Sequence, residues 1–245
     1  MHDAHRAHAE TVDLSANTRL RQAAARAATA MSGVLLDGNE AFVSDTEQSV
    51  AARRLILRER DALSVLPLIC RGWAACSVTL FDGRRQILSF LLPGDMAPTA
   101  MVFDDVAHVS VEAVTDVQFR AVQRAEFKDA LQREAGLFER FSRLAAVEKF
   151  QADQLAVDLG RRSADERIAR LILGLAERAR QRGLTEGDSF EFPLRQHHIA
   201  DATGLTSVHV SKVLTEFRRA GSIEISERAL TIKDPGAFRA IANMR

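Results

Sequence analysis

The stretch Gln196-His-His-Ile-Ala-Asp-Ala-Thr-Gly-Leu-Thr-Ser-Val-His-Val-Ser-Lys-Val-Leu214 constrains the fold more than any other part of this chain. Two helices that cross at close range need a small residue inside the first, a turn residue that tolerates a left-handed backbone, and apolar side chains where they meet. Ala200 is the small residue, Gly204 the turn, and Ile199, Leu205, Val210 and Val213 the contacts. The spacing predicts a helix-turn-helix whose second helix starts near Thr206, with the threonine hydroxyl capping free N–H groups. Phe217 continues the apolar face, and Ala220-Gly221 ends the helix. Ile223-Glu-Ile225 and Leu230-Thr-Ile232 then flank a short polar turn at Ser226-Glu-Arg228, which reads as a two-stranded wing.

Upstream, between about Arg53 and Val122, the pattern changes to short β-like runs: 54–57, 65–69, 76–81, 86–92, 109–113 and 117–122. Asp82-Gly83 is a strong hairpin signal, since glycine accepts the positive φ that two-residue turns require. Arg71-Gly72 and Pro93-Gly94-Asp95 mark further corners. Closely spaced strands without intervening helices predict an antiparallel roll of the cupin-like jelly-roll kind. From Ala125 to Leu159 helical spacing returns. Leu137, Phe141, Leu144, Glu148, Gln151, Leu155 and Leu159 recur at intervals of three and four. Such a stripe is the seam of a long helix packed on a twin, or of a helix that covers its own domain. The expected dimer interface is Leu137, Phe141, Leu144, Gln151 and Leu155. Gly160 supplies a helix stop and Ser163-Ala-Asp-Glu166 a capping box, so Gly160-Arg-Arg-Ser163 is the domain boundary and candidate hinge. The expected class is α+β: a tail or marginal helix over 1–48, a β-roll over 49–132, a dimerisation helix over 133–160 and a winged helix-turn-helix over 161–245.

Charge points the same way. The chain has 33 basic and 33 acidic residues, yet residues 161–245 hold 15 Lys and Arg against 11 Asp and Glu. A positive module joined to an acidic remainder suits a polyanion ligand. On the second helix of the motif, Ser207, Val208, His209, Ser211 and Lys212 face outward near its N-terminus, where they can reach base edges in a major groove. Lys212 can donate to guanine O6 and N7, His209 can donate or accept, and Val208 offers apolar contact to a thymine methyl group. Arg195, His197 and Thr206 are placed to hold phosphates, which fixes register without reading sequence.

The arrangement resembles the Crp/Fnr superfamily of bacterial regulators. The resemblance covers about residues 50 to 242 and is carried by Asp82-Gly-Arg-Arg-Gln-Ile-Leu-Ser-Phe-Leu-Leu-Pro-Gly-Asp95, Gly160-Arg-Arg-Ser-Ala-Asp-Glu-Arg-Ile-Ala169, and Ile199 to Gly221. It implies a homodimer on a two-fold symmetric operator in double-stranded DNA, a signal felt by a cyclic-nucleotide-binding-like roll, and contact with RNA polymerase. Members that bind cyclic nucleotides hold ribose and phosphate with a Gly-Glu pair and an Arg-Ser pair. Here the Arg position is Ala107, and a buried phosphate without a cation is costly, so a cyclic-nucleotide effector is not expected. Oxygen-sensing members carry four cluster-binding cysteines, and this chain has two, Cys70 and Cys76, so an iron-sulfur cluster is not expected. Many relatives place Glu and Arg where Val208 and Lys212 stand, so their operators do not transfer to this chain.

Other classes fit less well. A cupin-type enzyme needs a His and Glu cluster on neighbouring strands, whereas the roll contains His108 alone. No enzymatic activity, metal or cofactor is expected. Cys70 and Cys76 read as buried, inert thiols and Trp73 as core. His2, His5 and His8 read as part of a solvated tail. With no run of about 18 apolar residues and no apolar leader, the expected location is the cytoplasm, away from the membrane.

Overall fold

The structure is a computed structural model that describes residues 41–243. The stretch up to residue 40, including His2, His5 and His8, lies outside the described residues. The N-terminal part is a roll of two antiparallel sheets. One has strand order β1-β7-β3, from Val43–Val50, Val117–Gln123 and Val65–Arg71; the other has order β2-β6-β4-β5, from Leu55–Leu57, Ser110–Ala113, Ala74–Thr79 and Arg85–Leu91. Six of these strands coincide with the β-like runs. The exception, β1, moves the start of the roll ahead of the expected boundary at residue 49. Its residues Val-Ser-Asp-Thr-Glu-Gln-Ser-Val are mostly exposed, because it is an edge strand paired on one side, to β7. A polar edge strand lacks the apolar alternation by which strands are recognised.

The corners form where glycine was expected. Gly72 has φ +79°, and a Cβ there would lie 2.1 Å from the Asp116 carbonyl oxygen. No other residue fits that approach. Gly94 turns at φ 92°, with its N–H donating to the Ile69 carbonyl at 2.7 Å.

Because successive residues of a strand point to opposite faces, β4 serves two cores. Ala74 and Cys76 enter the interior of the roll with Leu66, Ile69 and Met101, while Trp73 and Ala75 point outward with Ile87, Phe90 and Leu92. That outer face is not solvated. It is continuous with the core of the C-terminal domain through Ile168, Ile172 and Leu175. Trp73, expected in a core, is 2% exposed and sits between the two domains.

The helical stretch is divided into α1 (Arg124–Arg133) and the longer α2 (Ala135–Arg161), with Glu134 extended between them. Leu137 and Phe141 of α2 are buried in the roll's own core, where Phe141 meets Phe127 edge to face at 5.8 Å. They are therefore not available to a second chain, which corrects their place in the expected dimer seam. The same stripe continues with Leu144, packed on that core, and Glu148, which accepts hydrogen bonds from the Thr99 backbone (2.9 Å) and hydroxyl (2.5 Å). It is thus the side of the helix that covers its own domain. Leu155 is half-buried and Gln151 exposed. Gly160 does not stop the helix. The turn comes after Arg161, at an extended Arg162, and Ser163 and Glu166 then form both halves of the capping box that starts α3 (Ala164–Gln181).

The C-terminal domain continues with the short strands β8 (Thr185–Glu186) and β9 (Ser189–Glu191), helices α4 (Gln196–Thr203) and α5 (Ser207–Arg219), strands β10 (Ile223–Ser226) and β11 (Ala229–Ile232), and a final α6 (Pro235–Ile241). The expected wing, β10-β11, is part of a four-stranded sheet in the order β10-β11-β9-β8.

Candidate nucleic-acid interface

Helices α4 and α5 are set by a tight turn. Gly204 is left-handed at φ 67°, ψ 32°, and its N–H returns to the Ala200 carbonyl. A Cβ on Gly204 would lie 3.1 Å from Leu159, so the turn rests on the end of the long helix. Ile199, Ala200, Val210, Val213 and Phe217 are buried beneath it. Thr206 caps α5, its hydroxyl accepting from the His209 backbone N–H at 3.2 Å.

This leaves the N-terminal face of α5 outward. Val208 is 82% exposed; His209 and Lys212 are exposed, and Ser207 and Ser211 half-buried. Ser207 also lines a groove of about 530 Å³ between α4, α5 and the wing. Its floor includes Phe192 and Leu194, and its polar rim includes Arg195, His197 and Arg218. Of the expected phosphate-holding residues, Arg195 and His197 thus come together at the groove, while Thr206 caps α5 at the exposed turn. Arg218 was not anticipated. It lies one turn beyond Leu214, to whose carbonyl its Nε donates at 3.3 Å, and that helical spacing was the available signal.

His198 was also missed. It is 4% exposed, and its Nδ1 accepts the Arg195 backbone N–H at 3.1 Å. His198 is the third residue of α4, so its ring takes the place of the usual glutamate or glutamine of a capping box in accepting the N–H of the residue that caps the helix. Burial, together with the charges of His197, Arg85 and Arg195, pushes its pKa down to about 4. A neutral ring with an unprotonated Nδ1 is what this bond requires.

Side chains of the roll hold the helix-turn-helix from behind. Arg85 of β5 bonds Asp201 of α4 at 2.8 Å and Glu112 of β6 at 2.9 Å, and the Gln86 amide donates to the Ala202 carbonyl at 3.2 Å. At the connection between α2 and α3, Asp158 accepts from Arg162 and Arg170, and Arg167 donates to the carbonyls of Arg162 (2.8 Å) and Thr203 (3.2 Å). The expected hinge is a braced corner.

Inside the roll, Ala107 is 2% exposed and belongs to the same apolar core as Leu68, Cys76, Met96, Met101 and Val111. Burial pushes the Cys76 thiol up to about 12 and raises that of Cys70.

Comparison with known proteins agrees with this geometry. Residues 166–241 match the model of the Crp-like helix-turn-helix domain, and residues 47–134 that of the cyclic nucleotide-binding domain. The chain is 33% identical over 188 residues to the nitrogen fixation regulation protein FixK of Bradyrhizobium diazoefficiens, covering 76% of this chain and 78% of FixK. It belongs to the Crp/Fnr family of transcription regulators. Another Crp/Fnr relative is the transcriptional activatory protein AadR of Rhodopseudomonas palustris, 32% identical over 77% of each chain. The structure of FixK2 from Bradyrhizobium japonicum superposes with a TM-score of 0.73 at 25% identity, over 80% of this chain and 96% of that one. Crp/Fnr regulators are a class of DNA-binding transcription regulators, which is not an enzyme class. Among the described residues, no helix is long and apolar enough to cross a membrane.

Proposed function

We propose that this Crp/Fnr regulator binds a two-fold symmetric operator as a homodimer in the cytoplasm, reading bases with Ser207, Val208, His209, Ser211 and Lys212 and holding phosphates with Arg195, His197, Thr206 and Arg218. The observation that carries the reading is the outward N-terminal face of α5 set beside a cationic groove. A duplex that seats α5 in its major groove brings phosphates to that rim, where the cations neutralise them and release counterions. RNA polymerase is the downstream partner.

The two-fold partner is a second copy of the chain, docked along α2. With Leu137 and Phe141 committed to the roll, the seam lies on the other side of the helix. Val147, Phe150, Gln154 and Val157 follow the alternating three- and four-residue spacing of a coiled coil, and the three apolar members are 51%, 63% and 43% exposed.

A cyclic nucleotide is disfavoured as the signal, because buried Ala107 stands where family members that bind one place an arginine, and a buried phosphate needs a cation. In-vitro selection of bound duplexes by the purified protein tests the whole reading. An inverted repeat should emerge, with affinity falling linearly in log salt, and cyclic AMP should leave it unchanged. Salt-independent binding or an unenriched pool overturns it.

A further inference from the structure

Resting on the proposed operator reading, we infer that Val208 reads the C5-methyl group of a thymine, so that each half-site is recognised partly through carbon. Val208 is apolar, 82% exposed and in the first turn of α5, with His209 beside it and Lys212 one turn further along. Every hydrogen-bonding edge in the major groove loses water when a protein covers it. Guanine, adenine and cytosine present N7, O6 or amino groups there, and a valine can pair with none of them. Thymine alone adds a methyl group. Its remaining O4 acceptor lies within the same patch, where His209 and Lys212 offer donors. The methyl is thus the one base feature that matches this position without stranding a polar atom.

The same argument extends to chemical modification. 5-Methylcytosine carries the methyl at the equivalent place, so a half-site with cytosine at this position is restored in part when that cytosine is methylated. The regulator would then distinguish methylated from unmethylated DNA at one base pair.

The test starts from the motif enriched by selection. At each enriched thymine, deoxyuridine replaces thymidine, which removes the methyl group alone. One position per half-site should lose about fourfold in affinity, and about fifteenfold when both halves are changed, the value of one buried carbon each. Cytosine at that position should bind more weakly still, and 5-methylcytosine should recover part of the loss. Val208→Ala, with folding checked by circular dichroism, should bind the thymidine and deoxyuridine duplexes alike. A motif in which every thymine tolerates deoxyuridine, or a Val208→Ala protein that still discriminates, overturns the inference while leaving the operator reading intact. A pool that yields no motif overturns both.

Discussion

Arg178, on the first helix of the DNA-binding domain, donates from Nη2 to Asp95 Oδ2 at 2.6 Å across the boundary with the roll. The other carboxylate oxygen takes Arg182, and Asp95 Oδ2 also accepts the Leu92 backbone N–H at 2.7 Å. Arg178 further reaches the Phe90 carbonyl at 2.8 Å. One carboxylate at the Pro93-Gly94-Asp95 corner therefore ties a strand end to Arg178 of α3 and to Arg182, the residue that caps its C-terminus.

Removing that charge should loosen the docking of the two domains. The side chains of Asp95 and Arg182 are 12% and 6% exposed, so Asp95→Asn leaves a nearly buried guanidinium without its counter-charge. Breaking such a pair from one side costs roughly 3 kcal/mol. The protein carries its own reporter, since Trp73 is the one tryptophan in the chain and lies in the interdomain core. The expected result is a lower thermal midpoint and a red-shifted Trp73 emission. Unchanged emission would show that the two domains are held without Asp95.

Acid should destabilise the helix-turn-helix before the rest of the molecule. His198 has its pKa depressed from 6.5 to about 4 in the folded state, mainly by burial. The unfolded chain therefore binds this proton first. The neutral ring's contribution is fully present above pH 6.5 and is lost as pH falls to about 4, a change on the order of 3 kcal/mol. His198→Asn keeps an acceptor for the Arg195 N–H but cannot titrate. Chemical denaturation at pH 7.5 and 4.5 should show a larger stability loss in the wild type than in this variant.

Two phenylalanines on α2 should separate dimerisation from folding. Phe150 is 63% exposed and belongs to the proposed seam, whereas Phe141 is 4% exposed in the roll. Phe150→Asp should give a folded monomer by sedimentation, with weakened operator binding. Phe141→Asp should unfold the roll, since it places a charge in the apolar core beside Phe127 and Leu137. A dimeric Phe150→Asp protein would place the seam elsewhere.

Lys212 and Arg195 should differ in kind. Lys212→Ala is expected to cost about 1 to 3 kcal/mol on the selected operator and to relax one base position. Arg195→Ala should weaken selected and random DNA alike and reduce the salt slope by about one. Equal losses from both variants on both DNAs would mean that reader and clamp have been exchanged or do not exist.

What could be read in advance followed how each signal arises. Gly72, Gly83, Gly94 and Gly204 mark turns because backbone sterics act locally, and all four take the positive φ their positions suggested. The short apolar runs of β3 to β7 and the contacts around Ala200 and Val210 are equally local. The stripe on α2 is different. Spacing shows that Leu137, Phe141 and Leu144 share a face but not what they face, and the place of polar Glu148 in that stripe is explained only by Thr99 opposite it. The roles of Asp95 and His198 are likewise set by the tertiary fold: Asp95 meets Arg178 from a helix remote in sequence, and His198, whose bond to Arg195 is local, owes its lowered pKa mainly to burial in the packed domain.

The pairing of β11 with β9 as well as with β10 gives the wing a fixed pitch. Were it a lone hairpin, it could swing to follow whatever backbone path a duplex presented. Anchored through Phe190 opposite Leu230, it is a stiff fin, and the work of conforming falls on the nucleic acid. Operators for this protein should therefore be chosen partly for how readily their flanks bend, with flexible pyrimidine–purine steps favoured beneath the wing at positions that no side chain touches.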